Sequence, residues 1–169
     1  MSFPAPFDQF RGRVLPAWID SNDHMNLAYY TVLFDQAGDT IYDAFGIGFA
    51  DDYKGRTQHG TMAAETHNLY VQELLVNEEV RVVSHVVAVD AKRLHLAHEM
   101  YRVSDGALAA MQELMFLHVD LRARKVVPWP PHILTILQDA AAAHAALGQP
   151  EWVGRKIAMP ASKQSGPAI

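Results

Sequence analysis

Cysteine is missing from this 169-residue chain. Its absence excludes disulfides, zinc–thiolate centres and a thiolate nucleophile, and gives no reason to place the fold in an oxidising compartment. Runs of basic charge are missing as well. Fourteen Lys and Arg stand against nineteen Asp and Glu, for a formal net charge of −5, and no five-residue window is dominated by Lys or Arg. That balance argues against a nucleic-acid surface. No stretch approaches the roughly 20 apolar residues that cross a bilayer, and Met1–Phe10 holds no cationic segment followed by an apolar one. A cytoplasmic protein is expected, with neither membrane nor nucleic acid as partner.

What is present is ordinary globular composition, 50% hydrophobic, at a length suited to one domain with a real core. We expect that domain over residues 1–154, with a flexible tail over 155–169 that holds Pro160, Ser162, Ser165, Gly166 and Pro167. Phe10–Trp18 is short enough for a first strand, with Pro16 placing it at a sheet edge or end. From Leu27 to Phe45, apolar Leu27, Tyr30, Phe34, Ala37, Ile41, Ala44 and Phe45 recur at spacings of three and four, with Asp35, Gln36, Asp39 and Asp43 between them. This is helical periodicity. Gly38 costs such a helix about 1 kcal/mol relative to Ala unless a neighbour packs closely there, so a close neighbour is expected. A polar loop over 49–61 leads to four β-type segments, Thr66–Val76, Val80–Val89, Leu94–Val103 and Ala107–Leu121, separated by breaks so short that neighbours must be antiparallel. The last is apolar on both faces, so it is covered on both sides, one cover being the long helix. An Ala-rich terminal helix over Ile133–Leu147 follows three prolines. The pattern is α+β, an antiparallel sheet wrapped around one long helix.

The densest chemistry lies in Trp18-Ile-Asp-Ser-Asn-Asp-His-Met-Asn26. It packs carboxylates, an imidazole and amides into one turn just ahead of a helix, where unpaired backbone N–H groups favour negative charge. Taken alone, Asp20 reads as a turn or cap residue. The spacing of Asp20, Asn22 and His24 does not make a calcium loop, because Met25 stands where the sharp-turn glycine belongs and Thr31 where the bidentate Glu belongs. Glu65 and His67, two apart on a strand, share a face, whereas His95 and His98 point oppositely and make a poor metal pair. No metal is expected.

The run Trp18 to Tyr30, with Phe34-Asp35 one turn further on, resembles the signature of hotdog-fold acyl-CoA thioesterases of the 4-hydroxybenzoyl-CoA thioesterase superfamily. Glu65-Thr-His67-Asn-Leu-Tyr70-Val-Gln-Glu73 and Lys92-Arg93-Leu94-His95 resemble the betainyl-CoA thioesterase branch. The resemblance covers roughly Val14 to Pro130. Asp23 departs from it, standing where such motifs often carry Gly.

The resemblance implies a hotdog fold and a thioester hydrolase in which Asp20 acts on the thioester or its attacking water, while His24 and Asn26 shape the turn and the helix start. The helix N-terminus would polarise the carbonyl. It also implies a site between subunits of a homodimer or dimer of dimers, so that Tyr30, His59, Glu65 and His67 are candidates for substrate contact. Lys92, Arg93, Arg122 and Arg124, at strand ends, are candidates for the phosphates of coenzyme A. Coenzyme A enters as part of the substrate, and no separate cofactor is expected. The rings of Trp18, Tyr29, Tyr30 and Tyr70 would suit a trimethylammonium acyl group through cation–π attraction. The rival expectation is a non-catalytic hotdog module that binds acyl thioesters without cleaving them.

Overall fold

Residues 3–159 are described in the computed structural model, and residues 160–169, most of the expected flexible tail, lie outside them. The chain runs through strand β1 (Phe7–Arg13), a 3₁₀ turn (Pro16–Trp18), helix α1 (Leu27–Ala44), short helix α2 (Tyr53–Thr57), and strands β2 (His59–Tyr70), β3 (Glu79–Val89), β4 (Arg93–Arg102), β5 (Leu108–Asp120) and β6 (Lys125–Val126), ending in helix α3 (Pro131–Ala145). The sheet is antiparallel in the order β1-β3-β4-β5-β2, with β6 pairing β5.

Helix α1 forms where its periodicity predicts. Asn26 caps it, its side-chain oxygen accepting the Ala28 N–H at 3.0 Å. The apolar stripe of Tyr30, Leu33, Phe34, Ala37 and Ile41 is buried against the sheet, while Leu27 and Ala44 are exposed. Each fully buried Leu, Ile or Phe contributes on the order of 1.5–3 kcal/mol. Sheet residues facing this stripe include Val80, Val82 and Met100 towards the start of α1, and Val86, Leu94, Leu96 and Leu114 towards its end, where α3 adds Ile133, Leu137 and Ala140. This is the sheet-around-helix arrangement that the patterning predicts.

Three expectations are corrected. The first strand is Phe7–Arg13 rather than Phe10–Trp18, because Pro16 opens a 3₁₀ turn instead of ending a strand. The second is His59–Tyr70 rather than Thr66–Val76, and the loop before it contains α2. This strand pairs with β5 at the far edge rather than with β3, because the eight residues between β2 and β3 cross the start of α1 instead of turning back as a hairpin. β2 is an edge strand whose central residues, Met62–Thr66, are exposed, so alternation gives no signal there. Gly38 is buried without a close neighbour: a Cβ there would meet nothing within 4 Å. The close approach is at Gly12 of β1, where a Cβ would lie 2.8 Å from Leu33 Cδ2.

The outer face of the sheet carries polar groups, His85 on β3, His95 and Glu99 on β4, and Glu113 on β5. The segment after α3 crosses this face. Trp152 Nε1 donates to Glu99 at 2.9 Å, and the Gly154 N–H donates to Glu113 at 2.7 Å.

Candidate active site

Asp20 heads a tight turn ahead of α1. Its backbone N–H donates to the His24 carbonyl at 3.0 Å, its carbonyl accepts the Asp23 N–H at 3.1 Å, and Ile19 and Met25 bridge across the base. The turn is fastened beneath by the Asn26 N–H on the Trp18 carbonyl at 2.9 Å and the Met25 N–H on the Leu74 carbonyl at 2.8 Å. Asp23 sits at φ +65°. That left-handed conformation explains why glycine suits the position, and Asp is one of the few side chains that tolerates it.

The Asp20 carboxylate is held by one oxygen. Oδ1 accepts the Asn22 N–H at 2.8 Å and lies 3.8 Å from His24 Nδ1. Among the described residues Oδ2 has no protein partner, although the side chain is only 22% exposed. It lines a cavity of about 380 Å³ with Asn22, His24, Met25, Leu27, Tyr30, Tyr70, Val71, Gln72 and Glu73. The first turn of α1 closes one side. There the Asn26 side chain engages the Ala28 N–H and the Asn26 carbonyl the Tyr29 N–H, while the Leu27 N–H has no partner among the described residues.

Tyr30 is 4% exposed and its hydroxyl donates to the Gln72 carbonyl at 3.4 Å. Burial raises its pKa, and the nearby Glu73 carboxylate adds to the rise. Its ring meets that of Tyr70 edge to face at 5.2 Å. Trp18 and Tyr29 instead stack on each other, 5.1 Å apart, and line no part of the cavity.

The structure therefore brings Asp20, His24 and Tyr30 together and sets Asn26 just beneath as the helix cap. It does not bring the other candidates there within one chain. Glu65 and His67 lie on the outer face, beside a separate depression with His95, Glu113 and Gly154–Lys156. His59 begins β2, edge-on to His118 at 4.9 Å, and Lys92, Arg93, Arg122 and Arg124 cluster at the same end of the sheet. Arg93 is paired there with Asp90, its Nε donating at 2.7 Å. The eleven steps of β2 from His59 to Tyr70 separate that end from Tyr70 by up to about 36 Å along the strand. Among the described residues no group of three or more His, Cys, Asp or Glu is placed to hold a metal. Val71, Gln72 and Glu73 are wall residues that the pattern misses. The sheet ends at Tyr70, and the chain then crosses the start of α1 with Leu74 fully buried.

Residues 14–137 match the thioesterase-like superfamily. The chain is 33% identical to the betainyl-CoA thioesterase of Pseudomonas aeruginosa over 87% of its own length and 91% of that protein's. It is 31% identical to the L-carnitine dehydrogenase/betainyl-CoA thioesterase of Rhizobium meliloti over 86% of this chain and 29% of that longer one. In fold it superposes on a Staphylococcus aureus protein solved in complex with CoA, with a TM-score of 0.82 at 24% identity, covering 95% of this chain and all of that one. The hotdog sheet, the Asp20 turn and these matches converge: the chain belongs to the thioesterase-like superfamily, and it is a thioester hydrolase.

Proposed function

We propose that this protein hydrolyses a short, polar acyl-CoA to the free acid and coenzyme A, with Asp20 as the working carboxylate and betainyl-CoA as the first candidate substrate. The observation that carries this reading is the half-satisfied Asp20 carboxylate on the wall of a cavity at the start of α1. Hydrolysis needs a carboxylate that attacks the thioester carbon or takes a proton from water, and Oδ2 is free to do either. The developing oxyanion needs a donor, which the Leu27 N–H and the positive end of α1 supply. A binding module needs the same pocket but has no use for an ionised carboxylate beside the thioester.

A second copy completes the site in this reading. β2 leaves one edge unpaired among the described residues, and such edges invite pairing. Antiparallel pairing along it in full register would set His59 opposite Tyr70 of the partner subunit. Each chain's basic strand ends would then approach the other chain's Asp20 cavity, where the phosphates of coenzyme A emerge. A homodimer or dimer of dimers is the state expected by sedimentation at micromolar concentration, and a clean monomer overturns the shared site.

The activity is tested by free-thiol release from a panel of acyl-CoAs that sets a betaine-type thioester beside aliphatic and aromatic ones. Asp20→Asn is expected to keep its melting temperature and to lose at least about 10² in kcat. A wild-type protein that binds these thioesters but releases no thiol makes the binding-module reading the correct one.

A further inference from the structure

The wall opposite Asp20 is built differently from the turn that carries it. Val71 and Gln72 both donate their backbone N–H to the Ala109 carbonyl, at 2.8 and 3.0 Å, and Leu74 is fully buried with its carbonyl accepting the Met25 N–H. Glu73 is thus fixed at both flanks while its side chain stays exposed at the cavity. Its carboxylate makes no ion pair among the described residues. Arg102, the guanidinium that reaches this segment, donates to the Glu73 backbone carbonyl at 3.5 Å and to the Gln72 side chain at 3.2 Å. Its charge is engaged by Asp105 at 2.7 Å and Glu78 at 3.6 Å.

The cavity lining therefore holds two carboxylates, Asp20 and Glu73, with no Lys or Arg. Two negative groups facing a small space favour a positive charge between them. The rest of the wall decides which kind. Met25, Leu27 and Val71 are apolar, and Tyr30 and Tyr70 present an edge-to-face pair of rings. Such a wall suits a cation clad in methyl groups, which asks for ring faces and a diffuse counter-charge rather than hydrogen-bond acceptors.

We propose that Glu73, with the rings of Tyr30 and Tyr70, sets the preference of this site for a quaternary ammonium acyl head, holding the positive end while Asp20 works on the thioester. The inference rests on the hydrolase reading of the Asp20 cavity and assigns its charge selectivity to one residue.

The test compares kcat/KM for betainyl-CoA with that for 3,3-dimethylbutyryl-CoA, which has the same shape with carbon in place of the charged nitrogen. Wild type is expected to favour the charged substrate at least about tenfold, and Glu73→Gln to lower that ratio at least about fivefold, with Glu73→Lys lowering it further. Glu113→Gln, on the outer face, is expected to leave the ratio where it is. Tyr70→Leu is expected to lower the ratio as well, because it removes a ring but no charge. An equal loss on both substrates in Glu73→Gln, or an unchanged ratio in both Glu73 variants, overturns the proposal. A wild type that cleaves both substrates equally, or neither while releasing thiol from other acyl-CoAs, also overturns it but leaves the hydrolase reading standing. Absence of thiol release from every acyl-CoA, or an Asp20→Asn variant that turns over at the wild-type rate, removes that reading instead.

Discussion

Two depressions in this molecule are lined by carboxylates and histidines, one on the outer face of the sheet and one at the start of α1, and they treat their largely buried carboxylates in opposite ways. On the outer face every carboxylate oxygen of the largely buried Glu113 and Glu99 is in use, while Glu65 at the exposed rim makes no ion pair among the described residues. Glu113 takes His95 Nε2 at 2.8 Å on one oxygen and the Gly154 N–H at 2.7 Å on the other. Glu99 takes Tyr101 and Trp152, each at 2.9 Å, with His85 3.9 Å away. At the start of α1, Asp20 uses one oxygen and Glu73 has no ion partner among the described residues. Filled hydrogen-bonding capacity fastens a strap to a sheet, whereas open capacity beside a cavity is available to a ligand. Histidine–carboxylate proximity alone does not separate the two cases.

Exchanging one carboxylate on each side for its amide breaks or confirms that contrast. Asp20→Asn is expected to cost at least about 10² in kcat with the stability intact. Glu113→Gln is expected to do the reverse: activity within about twofold of wild type, with roughly 1–2 kcal/mol of stability lost as the paired charge on the strap goes. Thiol release and urea unfolding on both variants decide it. A Glu113→Gln protein with normal stability and crippled turnover would move the chemistry to the outer face.

Much of this division was legible in the sequence, and the remainder was hidden for physical reasons. The dense turn from Trp18 to Asn26 and the three-and-four spacing after it place Asp20 at the start of a helix, as found. The breaks at Asp90–Lys92 and Ser104–Gly106 give two hairpins in their right places; Gly106 adopts φ +72° and Asp90 binds the Lys92 and Arg93 N–H groups at 2.8 Å. The break at Asn77–Glu79 joins no hairpin, because β2 pairs with β5 at the far edge of the sheet. Hidden was the start of β2, whose exposed edge residues carry no alternation, and with it the far-end position of His59. Hidden too was the wall at Val71–Glu73, where apolar residues continue past the sheet because Leu74 is needed under the turn rather than in a strand. Strand-face periodicity correctly pairs Glu65 with His67, but it cannot tell which face of the sheet the helix covers.

The buried histidines extend the contrast to pH. His98, His118 and His144 are each 3% exposed or less, and burial lowers the pKa of all three, that of His98 to about 3. The bonds of His144 require the neutral ring, and those of His118 are satisfied by it. His118 Nδ1–H points at the Val127 and Pro128 carbonyls, at 3.1 and 3.0 Å, so its Nε2 accepts the Tyr53 hydroxyl at 2.9 Å. His144 accepts the Val86 N–H on Nδ1 at 3.1 Å and donates from Nε2 to the Pro4 carbonyl at 3.1 Å. An unfolded histidine takes a proton near pH 6.5. Stability is therefore full above that pH and falls as pH drops towards the lower folded values, by about 1.4 kcal/mol per pH unit for each ring held neutral. Urea unfolding at pH 7, 6 and 5 is expected to show the decline, and His98→Gln, which cannot protonate, to remove one histidine's share of the slope. A stability profile that is flat across this window would mean that these rings bind protons in the folded state as readily as in the unfolded one.

The smallest expected effect concerns Gly38, where the molecule leaves space between α1 and the edge strand β2. A cavity of about 80 Å³ lies beside it, lined by Thr31, Phe34 and Asp35 of α1, His98 of β4, and residues of β2 and β5, with Thr31, Asp35, Ala63 and Thr66 exposed at its rim. At Gly12 of β1, by contrast, a Cβ would lie 2.8 Å from Leu33 Cδ2 of the helix. A methyl group at Gly38 meets nothing within 4 Å, and alanine in a helix interior is about 1 kcal/mol better than glycine. Gly38→Ala should therefore raise the unfolding free energy by roughly 0.5–1 kcal/mol in urea while leaving kcat/KM for the best acyl-CoA unchanged. No gain in stability would mean that neighbouring side chains already close the gap in solution. A gain in stability with a loss of kcat/KM confined to larger acyl groups would mean that the gap receives substrate, and the open region would then extend from the Asp20 turn along α1 to the β2 edge.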